Sequence, residues 1–144
     1  MLDVAKGFIP TLAATLVVGH VAGLLAGAAA MLGHWRPLFL GFAKGGKMVA
    51  TCGGVLLGLA PVVALVAAAV WIATFAITRY ASVSSILAAV ALPVAVLLLG
   101  EPWPVLVFSI FAAVAVLILH RGNIARLRAG TETRVQLRRK PARA

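Results

Sequence analysis

G-H-W-R-P-L-F-L-G-F-A-K-G-G-K-M-V-A-T, from Gly33 to Thr51, is the one long polar, glycine-rich and basic interruption in an otherwise apolar sequence. The residues on either side can dissolve in lipid, whereas this stretch cannot, so it marks where the chain must meet water. Gly45 and Gly46 permit positive φ and can turn backbone N–H groups inward, while Lys44 and Lys47 bring positive charge into the same small volume. That combination suits an anion, above all a phosphate. If the apolar run after Met48 opens a helix, its N-terminus strengthens the same field. Two readings fit the loop: a phosphate site, or a basic loop that is merely solvated, as cytoplasmic loops of membrane proteins commonly are. Gly41, Gly46 and Lys47 also satisfy G-x-x-x-x-G-K, but Met48 stands where a nucleotide-binding loop needs Ser or Thr for magnesium. No strand is predicted ahead of the loop, and nucleotide hydrolysis is excluded.

Working outward, the chain of 144 residues is 63% hydrophobic and only 11% charged, with a mean hydropathy of +1.11. A soluble domain has a far larger charged share, so the composition defines an integral membrane protein. Lys and Arg number 13 against 3 acidic residues, and 8 of the 13 fall in the last 25 positions. They are not interleaved with aromatics on a soluble fold, so a nucleic-acid partner is not expected. The charge reads instead as retention on the cytoplasmic face, beside anionic membrane lipids. Cys52 is the sole cysteine, which rules out an intrachain disulfide and a cysteine metal cluster. His20, His34 and His120 lack ligand spacing, and no metal or cofactor is expected. The opening residues, with Asp3 and Lys6 before an apolar run, show no clear cleavage site and read as part of the membrane body.

From Gly7 to Gly33 the sequence is long enough for one tilted helix or for two short ones turning at Gly19 and His20. Periodicity favours one helix; the distribution of charge favours two. Met48 to Thr78 is too long for one comfortable span and carries Gly58 and Pro61, which predicts a short segment to about Leu59 and a fuller one from Val62. Arg79, Tyr80, Ser82, Ser84 and Ser85 read as a polar turn before an apolar segment from Ile86 to Leu99. Gly100 to Pro104 reads as a tight turn, and Val105 to Leu119 as the last span. The expected fold is all-α: a polytopic membrane protein of about six short segments in three hairpins. Residues 1–132 form the membrane domain and 133–144 a basic tail, disordered or lipid-bound. The turns at Gly19, at Gly58 to Pro61 and at Gly100 carry no Lys or Arg, which places the glycine loop and the tail together on the cytoplasmic side. Small residues four apart, at Gly23 and Gly27 and at Gly54 and Gly58, predict close helix approach.

This topology gathers Asp3 with Lys6, the glycine loop, Arg79 with Ser82 and Ser85, and His120 with Asn123, Arg126 and Glu132 at one face. Each patch alone also fits a cap or an interfacial anchor. Together the motifs D-V-x-K-G-x-x-P at Asp3, G-H-x-x-P-x-F at Gly33, K-G-G-K-x-V-A-T at Lys44 to Thr51, R-Y-x-S-x-x-S-I at Arg79 and H-x-x-N-I-x-R-L-x-x-G-T-E at His120 to Glu132 resemble the bacterial acyl-phosphate:glycerol-3-phosphate acyltransferases. The resemblance implies a multi-pass inner-membrane enzyme that moves an acyl group from acyl phosphate to position 1 of glycerol 3-phosphate. It implies His120 and Asn123 as catalytic residues. It implies Lys6, Lys44, Gly45, Gly46, Lys47, Thr51, Arg79, Ser82, Ser85, Arg126 and Glu132 as substrate-binding ones. Two departures stand out. Met48 replaces the family's usual glycine, and the family's first motif, with its membrane helix, would precede Asp3, which implies a shortened form with little activity of its own.

The chemistry suits these residues, because an acyl phosphate already carries a good leaving group. The protein has to hold two phosphates, align the hydroxyl and stabilise an oxyanion, for which Asn123 and His120 can donate hydrogen bonds. The competing reading is a non-catalytic protein, either an inactive relative that binds lipid phosphate or an anion-permeation unit. A carrier would place ionisable residues near the bilayer midplane, whereas here they lie at one edge.

Overall fold

The computed structural model describes residues 1–37, 41–42 and 45–136. Among them the chain forms seven helices and no strand: α1 (Leu2–Val17), α2 (His20–Trp35), α3 (Val49–Leu59), α4 (Pro61–Thr78), α5 (Ala81–Leu99), α6 (Trp103–Leu119) and α7 (Arg121–Arg128). The all-α expectation holds. Between Gly7 and Gly33 the chain makes two helices, because Gly19 takes a φ of 118°, a conformation a helix cannot contain. α3 stops at Leu59 and Pro61 opens α4, as its fixed φ and missing N–H suit a first helical position. Gly100, at φ 67°, ends α5 with back-bonds from Gly100 N to Leu97 O and Glu101 N to Val96 O.

Helices α4 and α5 are each long and apolar enough to cross a membrane, and α6 with α7 makes a third candidate, bent by 55° at His120. α1, α2 and α3 are shorter, at 16, 16 and 11 residues. Apolar side chains such as Leu65, Ile72, Ile77 and Leu98 stand exposed around the outside, as lipid requires and water would not allow.

One expectation fails. Ser82, Ser84 and Ser85 are not in a turn but inside the start of α5. The Ser84 hydroxyl donates to Tyr80 O at 2.9 Å and the Ser85 hydroxyl to Ala81 O at 2.8 Å. Bonds to the carbonyl four residues back hide the hydroxyls in the helix and let it run through a polar stretch. The turn shrinks to Arg79 and Tyr80.

α1 lies between α2 and α3, α4 and α5 pair, and α6 closes the core against α2, α3 and α5. Met31, Val55, Leu56, Val63, Val96 and Phe108 fill the centre. The α1–α3 contact is made by backbones. A Cβ on Gly54 would lie 2.0 Å from Val4 O, and one on Gly7 would lie 2.3 Å from Thr51 O. The small-residue spacing read at Gly54 and Gly58 therefore sits at the closest approach of the two helices.

Replacing Gly54 by Ala should force α1 and α3 apart and cost about 1–3 kcal/mol, as overpacking does. Gly53, with open space at its Cβ position, is the control: Gly53→Ala should be neutral or gain up to about 1 kcal/mol from helix propensity. Thermal unfolding in detergent reads both, and equal unfolding temperatures would refute the close contact.

Candidate active site

The site is built where the loop before α3, the bend between α6 and α7, and the segment after α7 converge. Lys47 Nζ donates to Asn123 Oδ1 at 2.8 Å. Asn123 Nδ2 donates to Glu132 Oε1 at 2.6 Å, and Arg126 Nε donates to Glu132 Oε2 at 2.7 Å. An ammonium only donates and a carboxylate only accepts, so the amide of Asn123 has one possible orientation between them. Asn123 is buried and the Glu132 side chain is 8% exposed. Glu132 returns to this point because Gly130, at φ 69°, ends α7 with Thr131 N donating to Arg126 O. The G-T-E triplet is thus a helix stop followed by the carboxylate that meets Asn123 and Arg126.

The hydrogen bond from Asn123 holds the Glu132 carboxyl down at about 2, with further help from Arg126. Ser82 Oγ is buried beside this network yet has no completed hydrogen bond among the described residues. His120 is 2% exposed, and its Nδ1 meets Val116 O at 2.8 Å. A carbonyl accepts, so the neutral ring carries its proton on Nδ1 and presents Nε2 as an acceptor. The ring expected to donate hydrogen bonds is therefore placed to receive one.

The remaining sequence-predicted residues divide. Gly45 and Gly46 lie against the end of α2, with Gly45 N donating to Trp35 O at 2.9 Å. Thr51 is fully buried under the loop, and its hydroxyl has no partner among the described residues. Arg79 is exposed at φ 60° between α4 and α5, and its carbonyl accepts from Val135 N at 2.9 Å, which ties the segment after Glu132 to that turn. Ser85 is not in the polar network: its Oγ accepts from Trp71 Nε1 at 3.1 Å. Lys6 is engaged with Asp3 and His34. Lys44 lies outside the described residues, as do 137–144 of the basic tail.

Beside the polar network lies an apolar cavity of about 470 Å³ between α3, α4, α5 and α6. Val49, Ala50 and Val116 line the end nearest Lys47 and His120, and Leu56, Ala64 and Leu92 the far end. Trp71 and Ile72 form part of its wall, and Ile72 is 62% exposed on the lipid-facing flank. Sequence reasoning missed this cavity, because its small residues are scattered over three helices and read locally as alanine-rich membrane sequence.

A multi-pass helical membrane protein with a cationic, amide-bearing network at one end of an apolar cavity is one that handles amphiphilic anions. Residues 1–130 match the family described as glycerol-3-phosphate acyltransferase, and the chain belongs to that family. It is 49% identical over 139 residues to a glycerol-3-phosphate acyltransferase of Roseiflexus sp. (strain RS-1), covering 93% of this chain and 68% of the relative. It is 45% identical over 137 residues to one of Desulforudis audaxviator (strain MP104C), covering 95% and 69%. The crystal structure of PlsY (YgiH), an integral membrane glycerol 3-phosphate acyltransferase, in its glycerol 3-phosphate form superposes with a TM-score of 0.90 at 40% identity, covering 94% of this chain and 68% of that one. The lysophosphatidic acid form of the same protein gives 0.89, covering 94% and 69%. The chain thus spans about two thirds of the length of these relatives.

Because the folded Glu132 carboxyl lies below its ordinary value of 4.5, its contribution to stability is complete above that pH and is lost as pH falls toward about 2. Thermal unfolding in detergent across this window should show a loss that Glu132→Gln, less stable at neutral pH, lacks. Parallel pH profiles for the two proteins would contradict the ion-paired carboxylate.

Proposed function

We propose that the chain transfers an acyl group from an acyl phosphate to the 1-hydroxyl of glycerol 3-phosphate, forming lysophosphatidic acid for phospholipid synthesis and releasing phosphate. The observation that carries this reading is the Lys47–Asn123–Glu132–Arg126 network beside the end of the apolar cavity that Val49, Ala50 and Val116 line. One site can then hold a phosphate and an acyl chain of the same molecule. Lys47 binds phosphate by charge and by hydrogen bonds, and loop N–H groups other than that of Gly45, which is spent on Trp35 O, can add to it. By charge, Arg79, Arg126 and the lysine at position 44 are suited to phosphate, Thr51 lies buried beneath the loop, and Ser82, next to Glu132, has a hydroxyl left for substrate.

In the transfer, the glycerol oxygen attacks the acyl carbonyl carbon, the bond from that carbon to the phosphate oxygen breaks, and the departing phosphate takes the hydroxyl proton. His120 Nε2 accepts a hydrogen bond from the attacking hydroxyl and orients it. The fixed amide of Asn123 presents N–H to the carbonyl oxygen as charge develops there. A permeation pathway is disfavoured because the network sits at the end of the bundle and the cavity beyond it is apolar.

Expressed from its gene with any in-frame coding sequence upstream of Met1, the protein should form lysophosphatidic acid from palmitoyl phosphate and glycerol 3-phosphate. Absence of product would refute the proposal. Lys47→Ala should lower kcat/KM for glycerol 3-phosphate about ten- to a hundredfold, the worth of a charge-assisted contact. Ala88→Phe, which fills the cavity, should raise KM for palmitoyl phosphate and spare acetyl phosphate.

The same reading assigns the protein to the bacterial inner membrane, with residues 1–132 as the catalytic domain and with the glycine loop and basic tail facing the cytoplasm. In the Cys52→Ala background, thiol labelling of Arg128→Cys and Trp103→Cys should show opposite accessibility in intact cells. Labelling from the same side would overturn this orientation.

A further inference from the structure

A second cluster of ionisable groups, at the start of α1 and the end of α2, is not used by this chemistry. Lys6 Nζ donates to Asp3 Oδ1 at 2.6 Å, and the same ammonium meets Nδ1 of His34, which lies 3.5 Å from Asp3 Oδ1. An ammonium has hydrogens to give and no lone pair, so Nδ1 of His34 accepts and the neutral ring keeps its proton on Nε2. That edge of the ring faces the glycine loop. A Cβ on Gly46 would lie 2.0 Å from His34 Nε2, and a Cβ on Gly45 would lie 2.1 Å from the His34 carbonyl oxygen. Both glycines are moulded on His34, whose side chain is 15% exposed. The next residue along is Lys47, which reaches across to Asn123.

We propose that Asp3, Lys6 and His34 form a positioning clamp for the Gly45–Gly46 turn. Asp3 holds the Lys6 ammonium, and Lys6 fixes the ring and tautomer of His34. The Nε2–H edge of His34 sets the backbone that aims Lys47 at the substrate phosphate. Lys6 then acts through His34 and is not itself a phosphate ligand. The kinetic part of this inference rests on the acyl transfer proposed above; the tautomer of His34 does not.

Nitrogen-15 NMR of histidine-labelled protein in detergent tests the clamp directly, with the resonances assigned by single His→Gln variants. His34 should carry its proton on Nε2 and His120 on Nδ1, so the two rings report opposite tautomers. Lys6→Met should let the second tautomer of His34 appear without changing the unfolding temperature. In turnover, His34→Gln places an amide N–H near the Nε2 position and should keep KM for glycerol 3-phosphate within about threefold, whereas the shorter His34→Asn should raise it about tenfold with kcat little changed. A proton on Nδ1 of His34 in the wild type would overturn the clamp. The expected tautomer with unchanged KM in His34→Asn would overturn the positioning role and leave acyl transfer standing. A wild type that turns over no substrate would refute acyl transfer alone, since the NMR measurement still decides the clamp.

Discussion

The backbone contact between α1 and α3 is the constraint on which the rest of the polar end depends. In lipid, two helices gain little from apolar side chains alone, so close approach of their backbones supplies the packing. Gly7 against Thr51 O and Gly54 against Val4 O bring the axes near enough that no side chain fits between them. This brings the first turn of α1, with Asp3 and Lys6, beside the loop that leads into α3. It also explains how an 11-residue helix can hold a fixed position. α3 is too short to be defined by the membrane and is defined by its neighbours instead.

Met48 shows the cost of the same arrangement. It sits at φ 65° as the residue before α3, a conformation in which glycine carries no penalty and other residues lose roughly 1–2 kcal/mol. The Met48 side chain is 2% exposed and part of the core. Burying such a side chain contributes about 1.5–3 kcal/mol, enough to offset the strained backbone. The departure from glycine at this position is therefore tolerated by packing, and Lys47 stays within reach of Asn123.

Much of this was legible in the sequence wherever the signal is local. The breaks at Ala60–Pro61 and at Gly100 follow from local punctuation by Pro and Gly, the break at Gly19 is favoured by the distribution of charge against the periodicity, and the glycine loop announces itself by composition. Helix α7 and the stop at Gly130 that returns Glu132 were not legible, because the stretch after Leu119 is rich in charge. What escaped was set by contacts distant in sequence or by hydrogen bonds within a helix. Ser82, Ser84 and Ser85 read as a turn by composition, but the hydroxyls of Ser84 and Ser85 found carbonyls one turn back. Ser85 was grouped with the phosphate residues, yet Trp71, from another helix, holds its hydroxyl at the cavity wall. His34 was visible as part of a motif, but its role depends on Lys6, 28 residues away. The tautomer of His120 depends on the direction of one carbonyl, which composition cannot specify.

The exposed flank of the cavity has a kinetic meaning of its own. In the proposed acyl transfer, with Ile72 exposed on its wall and the ionic network at one end of the bundle, a water-soluble reactant and a lipid reactant would arrive along different directions, one from the aqueous face and one from within the plane of the membrane. For the lipid reactant, the variable that governs encounter is then its mole fraction in the bilayer rather than its concentration in water. Dilution of such a substrate by inert lipid or detergent lowers the rate even when its total amount is constant, and the product leaves into the same two-dimensional solvent from which the substrate came.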